Sequence, residues 1–318
     1  MKIMVTGVCG LIGSHLADEL LLRGHKVIGI DDLSFGNKNN IENAFTNKNF
    51  DFYKYDVSKQ LNQIVRVDVV FHLAAYKKAP KASIDSSDVM LNNVEMIKSV
   101  IKYVQENNST LIFTSTSDIY GNSENFLENE SVTIGPPNIE RYSYAMSKLF
   151  DEQLLMNLVN ENKIKCVIPR IFGCFSERSN SSWSGGHIPL FIDKALKGED
   201  IIIHGDGNQT RSMCYVSDIV NGLVKILENK NNLNGEIINI GSSKEVGVLD
   251  CAKLIIELCN SNSTIKHITQ QEAFGDYKEI ERRFANTEKA YRLLNGWRCK
   301  SNIIDGIKEI INNWRKPE

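Results

Sequence analysis

A chain of 318 residues with 42% hydrophobic side chains can fill one large or two modest cores, which sets aside a disordered or fibrous protein. Its 37 basic and 39 acidic residues nearly cancel, and no lysine–arginine cluster is long enough to track a phosphate backbone, so nucleic acid is not the expected partner. No apolar run approaches the roughly 20 residues that span a bilayer, and "MKIMVTG" enters a strand pattern directly, which predicts a soluble, cytoplasmic protein.

In chain order, "KIMVT" (2–6), "KVIGI" (26–30), "DFYKY" (51–55), "DVVFHLA" (68–74), "TLIFTS" (110–115) and "KCVIPRI" (165–171) read as strands. Between them lie helix-period segments such as 11–24 and 94–107. This alternation predicts an α/β fold with a Rossmann-type, doubly wound parallel sheet, whose ligands sit beyond the carboxyl ends of the strands. After residue 172 the pattern changes to a Ser-, Gly- and Trp-rich loop, "SERSNSSWSGGH" (176–187), and shorter elements. The expected division is a dinucleotide-binding domain over 1–172 and a smaller, mainly substrate-binding domain over 173–318, with strand 236–241 returning to the first sheet. The cysteines Cys9, Cys166, Cys174, Cys214, Cys251, Cys259 and Cys299 are odd in number and form no CxxC, so they read as small buried hydrophobes with no structural metal.

The stretch "VTGVCGLIGSHLADELLLRGHKVIGIDDLSFG" (5–36) is strand, glycine turn, helix, strand and two aspartates. Gly7 lets the chain turn sharply, Gly10 lets the backbone approach a pyrophosphate, and Gly13 lets the helix pack on the sheet. The helix N-terminus then meets the phosphates. Asp31, at the end of the second strand, can accept hydrogen bonds from a ribose diol and repels a 2′-phosphate, which favours NAD over NADP; Asp32 reads as a turn cap. Downstream, "RYSYAMSK" (141–148) sets Tyr144 four positions before Lys148, on one helix face, whereas Tyr142 points elsewhere. An ammonium beside a phenol lowers its pKa, making Tyr144 a candidate base for a hydroxyl whose carbon loses hydride to NAD.

These motifs, with "FHLAA" (71–75), "NNV" (92–94), "FTSTSDIYG" (113–121) and "RSMCYVSD" (211–218), occur in an order that resembles the extended short-chain dehydrogenase/reductases acting on nucleotide sugars. That family includes UDP-glucose 4-epimerases, dTDP-glucose 4,6-dehydratases and UDP-glucuronate decarboxylases. The resemblance spans nearly the whole chain. It implies a cofactor face of Gly7, Gly10, Leu11, Ile12, Gly13, Asp31, Asp56, Val57, Leu73, Ala74, Ala75, Asn93, Tyr144 and Lys148, with Asp56 near the adenine and Asn93 near the nicotinamide. It implies Thr116 as the proton-sharing partner of Tyr144, Arg211 and Arg283 on the substrate diphosphate, Gly173 at the substrate, and a homodimer built from the helices around 94–107 and 144–160. His72 reads as a satisfied buried histidine.

Three departures matter. Ser117 and Asp118 follow the threonine, resembling the Ser-Glu of the decarboxylases with one methylene removed, so Asp118 is either a catalytic carboxylate or a loop aspartate. Gly173 stands where the family carries asparagine. "AAYKKAPK" (74–81) resembles a UDP-N-acetylglucosamine 4,6-dehydratase motif and brings Lys77, Lys78 and Lys81 toward the sugar; a solvated face is the default for them. The expected activity is oxidation of a nucleotide sugar, most naturally a UDP-sugar, at C4. 4-Epimerisation is placed first, 4,6-dehydration or decarboxylation next, and a non-catalytic NAD sensor is the alternative of another class.

Overall fold

The computed structural model describes residues 1–77, 85–132, 134–181, 186–275 and 279–315. Its strands are β1 (Lys2–Thr6), β2 (Lys26–Ile30), β3 (Phe50–Tyr53), β4 (Val69–His72), β5 (Thr110–Phe113), β6 (Ser115–Thr116), β7 (Lys165–Ile171), β8 (Gly173–Phe175), β9 (Ile201–His204), β10 (Thr210–Tyr215), β11 (Ile237–Ile240), β12 (Glu245–Gly247), β13 (Ile265–Ile268) and β14 (Arg282–Arg283). The main sheet runs β11-β7-β5-β4-β1-β2-β3, with β6 beside β7, and its pairings are parallel. β4 and β5 are buried at every position, as strands covered by helices on both faces must be.

The period of two in β1 divides its side chains between the two faces. Ile3 and Val5 pack with Leu16 and Leu20 of the helix Leu11–Leu22, whereas Met4 packs with Ile97 and Val100 of the helix Ser86–Asn107 and Leu155 of the helix Ser143–Asn160. The helix Ser86–Asn107 begins eight residues before the sequence pattern placed it, because its first turns, "SSDVMLNN", are polar apart from the adjacent Val89, Met90 and Leu91, which do not repeat at helical spacing.

After residue 172 the chain builds a second sheet, β12-β10-β14 with β8 on β10, and the separate pair β13-β9. Phe175, Ile188, Phe191, Ile255 and Ile307 form its core. β11 pairs in parallel with β7 and so lies in the main sheet. The helix Val216–Asn229 also joins it, with Ile219, Val220 and Leu223 packed against Leu16 and Leu20, an attachment that the sequence reading did not anticipate.

Candidate active site

At the carboxyl ends of the main-sheet strands, facing the second sheet, lies a cleft of about 1070 Å³. The glycine turn forms its floor. Gly7 has φ of +71°, and a β-carbon there would lie 2.7 Å from the backbone nitrogen of Ala74; one at Gly13 would lie 2.2 Å from the Gly7 carbonyl oxygen. Both are therefore required by close backbone approach. Gly10 starts the helix with no side-chain cap, so the helix N-terminus opens on the cleft, which Leu11, Ile12, Val57, Leu73, Ala74 and Ala75 also line.

The Asp31 carboxylate accepts from the backbone N–H of Cys9 and of Leu33, each at 2.9 Å. Burial pushes its pKa up, and those two bonds oppose the shift. Asp32 instead accepts from the Ser34 N–H at 2.8 Å and forms a turn cap. Asp56 lines the cleft and caps the short helix Val57–Gln60 by accepting from the Ser58 N–H at 2.9 Å. Asn93 differs from expectation: it is buried and is not among the cleft-lining residues. Its amide accepts from the Tyr76 N–H at 2.8 Å and donates to the Tyr76 carbonyl at 3.0 Å and to Ser147 Oγ at 3.0 Å, binding the 73–77 loop to the helix that carries Tyr144. It positions cleft residues from behind.

Thr116, Tyr144 and Lys148 meet in the cleft. Lys148 is 2% exposed, donates to the Thr114 carbonyl at 3.1 Å and stands 4.3 Å from the Phe113 ring centroid. Burial lowers its pKa to about 8, against Asp151 and Glu152. The expected acidifying effect on Tyr144 is reversed by the protein's own groups. Burial pushes the phenol up, Asp118 and Asp151 push it further, and only the hydrogen bond with Thr116 pulls it back. The reason is geometric: the Lys148 ammonium serves the Thr114 carbonyl, while the phenol lies in the field of two carboxylates. His72 is buried, its Nδ1 lies 2.8 Å from Thr6 Oγ1, and burial with Lys148 lowers its pKa to about 3, so it is a neutral structural group.

Asp118 follows from the Thr116 turn, where its N–H donates to Thr116 Oγ1 at 3.1 Å. Its carboxylate is ion-paired with Arg283, and Lys77 Nζ lies 3.8 Å away. Burial alone would raise Asp118, but Arg283 and Lys77, with Arg141 and Arg211 behind them, hold its carboxyl well below the usual range. Lys77 also lies 5.4 Å from the Tyr144 ring centroid, so it lines the cleft, with its side chain 45% exposed. Lys78 and Lys81 lie outside the described residues. Arg283 is the cleft arginine, its side chain 16% exposed, whereas Arg282 is 57% exposed and pairs with Glu245. Arg211 lines the cleft and pairs with Glu279. Ser117 is buried and lines the cleft, and Ser115 Oγ and Arg283 Nε, on two more lining residues, have no hydrogen-bond partner among the described residues.

Gly173 has a steric cause. A β-carbon there would lie 2.6 Å from Met213 Sδ and 2.7 Å from the Ser212 carbonyl oxygen, so the close approach of β8 and β10 excludes an asparagine. The sequence reading missed Tyr76, Arg178, His187 and Trp314, all of which line the cleft. His187 opens the helix His187–Lys197, and burial with Arg211 lowers its pKa to about 4. Its place after the glycines of 185–186 was the one local sign; Trp314 gave none, since it arrives from the last helix.

The sequence profile of the NAD dependent epimerase/dehydratase family matches residues 3–241. The chain is 31% identical over 320 residues to the UDP-N-acetyl-alpha-D-glucosaminuronate decarboxylase of Bacillus cytotoxicus, covering 100% of this chain and 98% of that protein. It is 29% identical to UDP-glucuronic acid decarboxylase 1 of Xenopus tropicalis, covering 99% of this chain and 72% of that protein. Among solved structures, UDP-glucuronic acid 4-epimerase from Bacillus cereus in complex with UDP-glucuronic acid and NAD superposes with a TM-score of 0.85 at 28% identity, covering 98% of each chain.

Proposed function

The chain belongs to the NAD-dependent epimerase/dehydratase family, and from that premise we propose that it oxidises a UDP-uronate at C4 and releases carbon dioxide from it. NAD fits the cleft: the tight backbone packing that Gly7 and Gly13 allow shapes the turn, the helix that Gly10 starts opens on the cleft with no side-chain cap, and Asp31 is held at the end of β2 by two backbone bonds. Gly7, Gly10, Leu11, Ile12, Gly13, Asp31, Asp56, Val57, Leu73, Ala74, Ala75 and Lys148 would hold it. When bound, NAD supplies the hydride acceptor. Tyr144, as the phenolate that the positive charge of bound NAD would favour, takes the proton of the C4 hydroxyl while the Thr116 hydroxyl holds the same oxygen.

The observation that carries the choice of substrate is the cation cluster around Asp118. Arg283 and Lys77 both face the one carboxylate of Asp118 beside Thr116, leaving one positive charge in excess at the sugar end of the cleft, while Arg211 is already paired with Glu279. A carboxylate on C6 suits that excess. Once C4 is a ketone, a uronate is a β-keto acid. Its C5–C6 bond releases carbon dioxide, and the bonding pair passes to the C4 oxygen, which Thr116 and Tyr144 hold. Decarboxylase relatives that align along nearly the whole chain support this order over the epimerisation that the sequence alone placed first. Epimerisation keeps one observation in its favour: Asp118 is short and is neutralised by Arg283.

The protein with NAD is incubated with UDP-glucuronate, UDP-N-acetylglucosaminuronate and UDP-glucose, and the products are weighed by mass spectrometry. Loss of carbon dioxide from a uronate is expected. Unchanged mass with inversion at C4 restores the epimerase, and conversion of UDP-glucose alone contradicts a uronate site. We also propose a homodimer through the helices Ser86–Asn107 and Ser143–Asn160, which expose Leu91 and Phe150.

A further inference from the structure

Three of the seven thiols converge where β10 meets the coil after Trp297. Cys214, wholly buried in β10, donates its S–H to Cys299 Sγ at 3.3 Å. Cys299 is partly exposed, lies between the exposed residues Arg298 and Lys300, and places its Sγ 3.4 Å from the Asp218 carboxylate. Cys174 sits in register with Cys214 on β8.

The coil is held in place but not braced. Asp218 accepts from the backbone N–H of Lys300 at 3.0 Å and of Ser301 at 2.7 Å, and residues 298–302 belong to no strand or helix. A disulfide needs an S–S distance of about 2.0 Å, so the coil has only to close by roughly 1 Å. Two thiols and a carboxylate this near one another also suggest a metal, since their ligand atoms lie within 4.8 Å. The Asp218 oxygen argues against that use, because it already accepts from two N–H groups and from the Ser301 hydroxyl.

We propose that Cys214 and Cys299 are an oxidisable pair that a hydroperoxide converts to a disulfide, tying β10 to the coil 298–302. Cys299 is the attacking sulfur: it is the more exposed, and the bond it accepts from Cys214 lowers its pKa. Its thiolate attacks the terminal oxygen of the peroxide as the O–O bond breaks, and the departing alkoxide takes up a proton, giving a sulfenic acid and an alcohol, or water from hydrogen peroxide. The sulfur of Cys214 then attacks the sulfenic sulfur and loses its proton, and water leaves. Two thiols are oxidised by two electrons and one peroxide is reduced. The remaining cysteines Cys9, Cys166, Cys251 and Cys259 are buried, and burial raises the pKa of each. Cys174 is partly exposed, but burial raises its pKa as well.

The test treats the full-length native protein with graded hydrogen peroxide, quenches it with an alkylating reagent and maps the thiols by mass spectrometry. The expected result is loss of two free thiols, a peptide bridging residues 214 and 299, and reversal by dithiothreitol. Cys299→Ser loses the bridge and Cys174→Ser keeps it. A bridge from Cys174, oxidation of Cys299 to sulfinic acid with Cys214 still free, or a pair left reduced at peroxide levels that oxidise the other cysteines would overturn the proposal. Protection of both thiols by stoichiometric zinc ion alone would assign a metal site instead.

Discussion

Lys148 is pulled two ways. Its ammonium is buried against Phe113 and bonded to the Thr114 carbonyl, and burial lowers its pKa to about 8. Between about 8 and the ordinary lysine value of 10.5, the unfolded chain therefore holds a proton that the folded chain has released. Folding stability rises with pH across that window, because the unfolded state binds more protons there. Thermal melts at pH 8 and pH 10 are expected to show this gain in the wild type relative to Lys148→Met; an equal response in both proteins refutes the shifted lysine. Residue by residue, the sequence read the Tyr144–Lys148 spacing well because a helix puts positions i and i+4 on one face. It misread the charge at Tyr144 and the place of Asn93, because both depend on partners far along the chain, Asp118 for one and the Tyr76 backbone for the other.

Among the elements, the glycine turn is the most constrained. A β-carbon at position 13 would stand 2.2 Å from the Gly7 carbonyl oxygen, which is backbone and cannot swing aside. Gly13→Ala is expected to cost about 1–3 kcal/mol by overpacking and to abolish the rise in melting temperature on adding NAD, measured by differential scanning fluorimetry. A variant that NAD stabilises as it does the wild type contradicts the turn's role. All six strands begin within one residue of where β-branched runs placed them, and the β7 bounds match 165–171. The helix Ser86–Asn107 was read short because Asp85 and a polar first turn hide its start, while its inner residues Val89 and Asn93 face the core. The helix Val216–Asn229 was not assigned to the main sheet, since an apolar stripe shows that a face is buried without showing against what.

At the scale of the molecule, the cleft draws on three separated regions: the glycine turn and main-sheet strand ends, residues between 174 and 181 with Gly186 and His187, and Arg211, Arg283 and Trp314 from the second half. The first was legible because a local motif encodes it. Of the others, Arg211, Arg283 and Gly173 were expected from the family resemblance alone, and Arg178, His187 and Trp314 were missed, because their side chains converge only once the second sheet, with β8 paired to β10, has formed. Leu91 and Phe150, 65% and 52% exposed, mark the proposed dimer face; sedimentation equilibrium is expected to give twice the chain mass, and Leu91→Glu with Phe150→Glu to give monomer. Dimers unaffected by that pair of changes place the interface elsewhere. No helix among the described residues is long and apolar enough to cross a membrane. The most direct measurement follows deuterium from C4 of UDP-glucuronate in the presence of NAD. In the wild type the label is expected on the nicotinamide during turnover, and Tyr144→Phe, folded and still binding NAD, is expected to transfer it about 10²–10⁴ times more slowly. Product formed while the label never leaves C4, or transfer undiminished in Tyr144→Phe, would contradict oxidation at C4 by Tyr144.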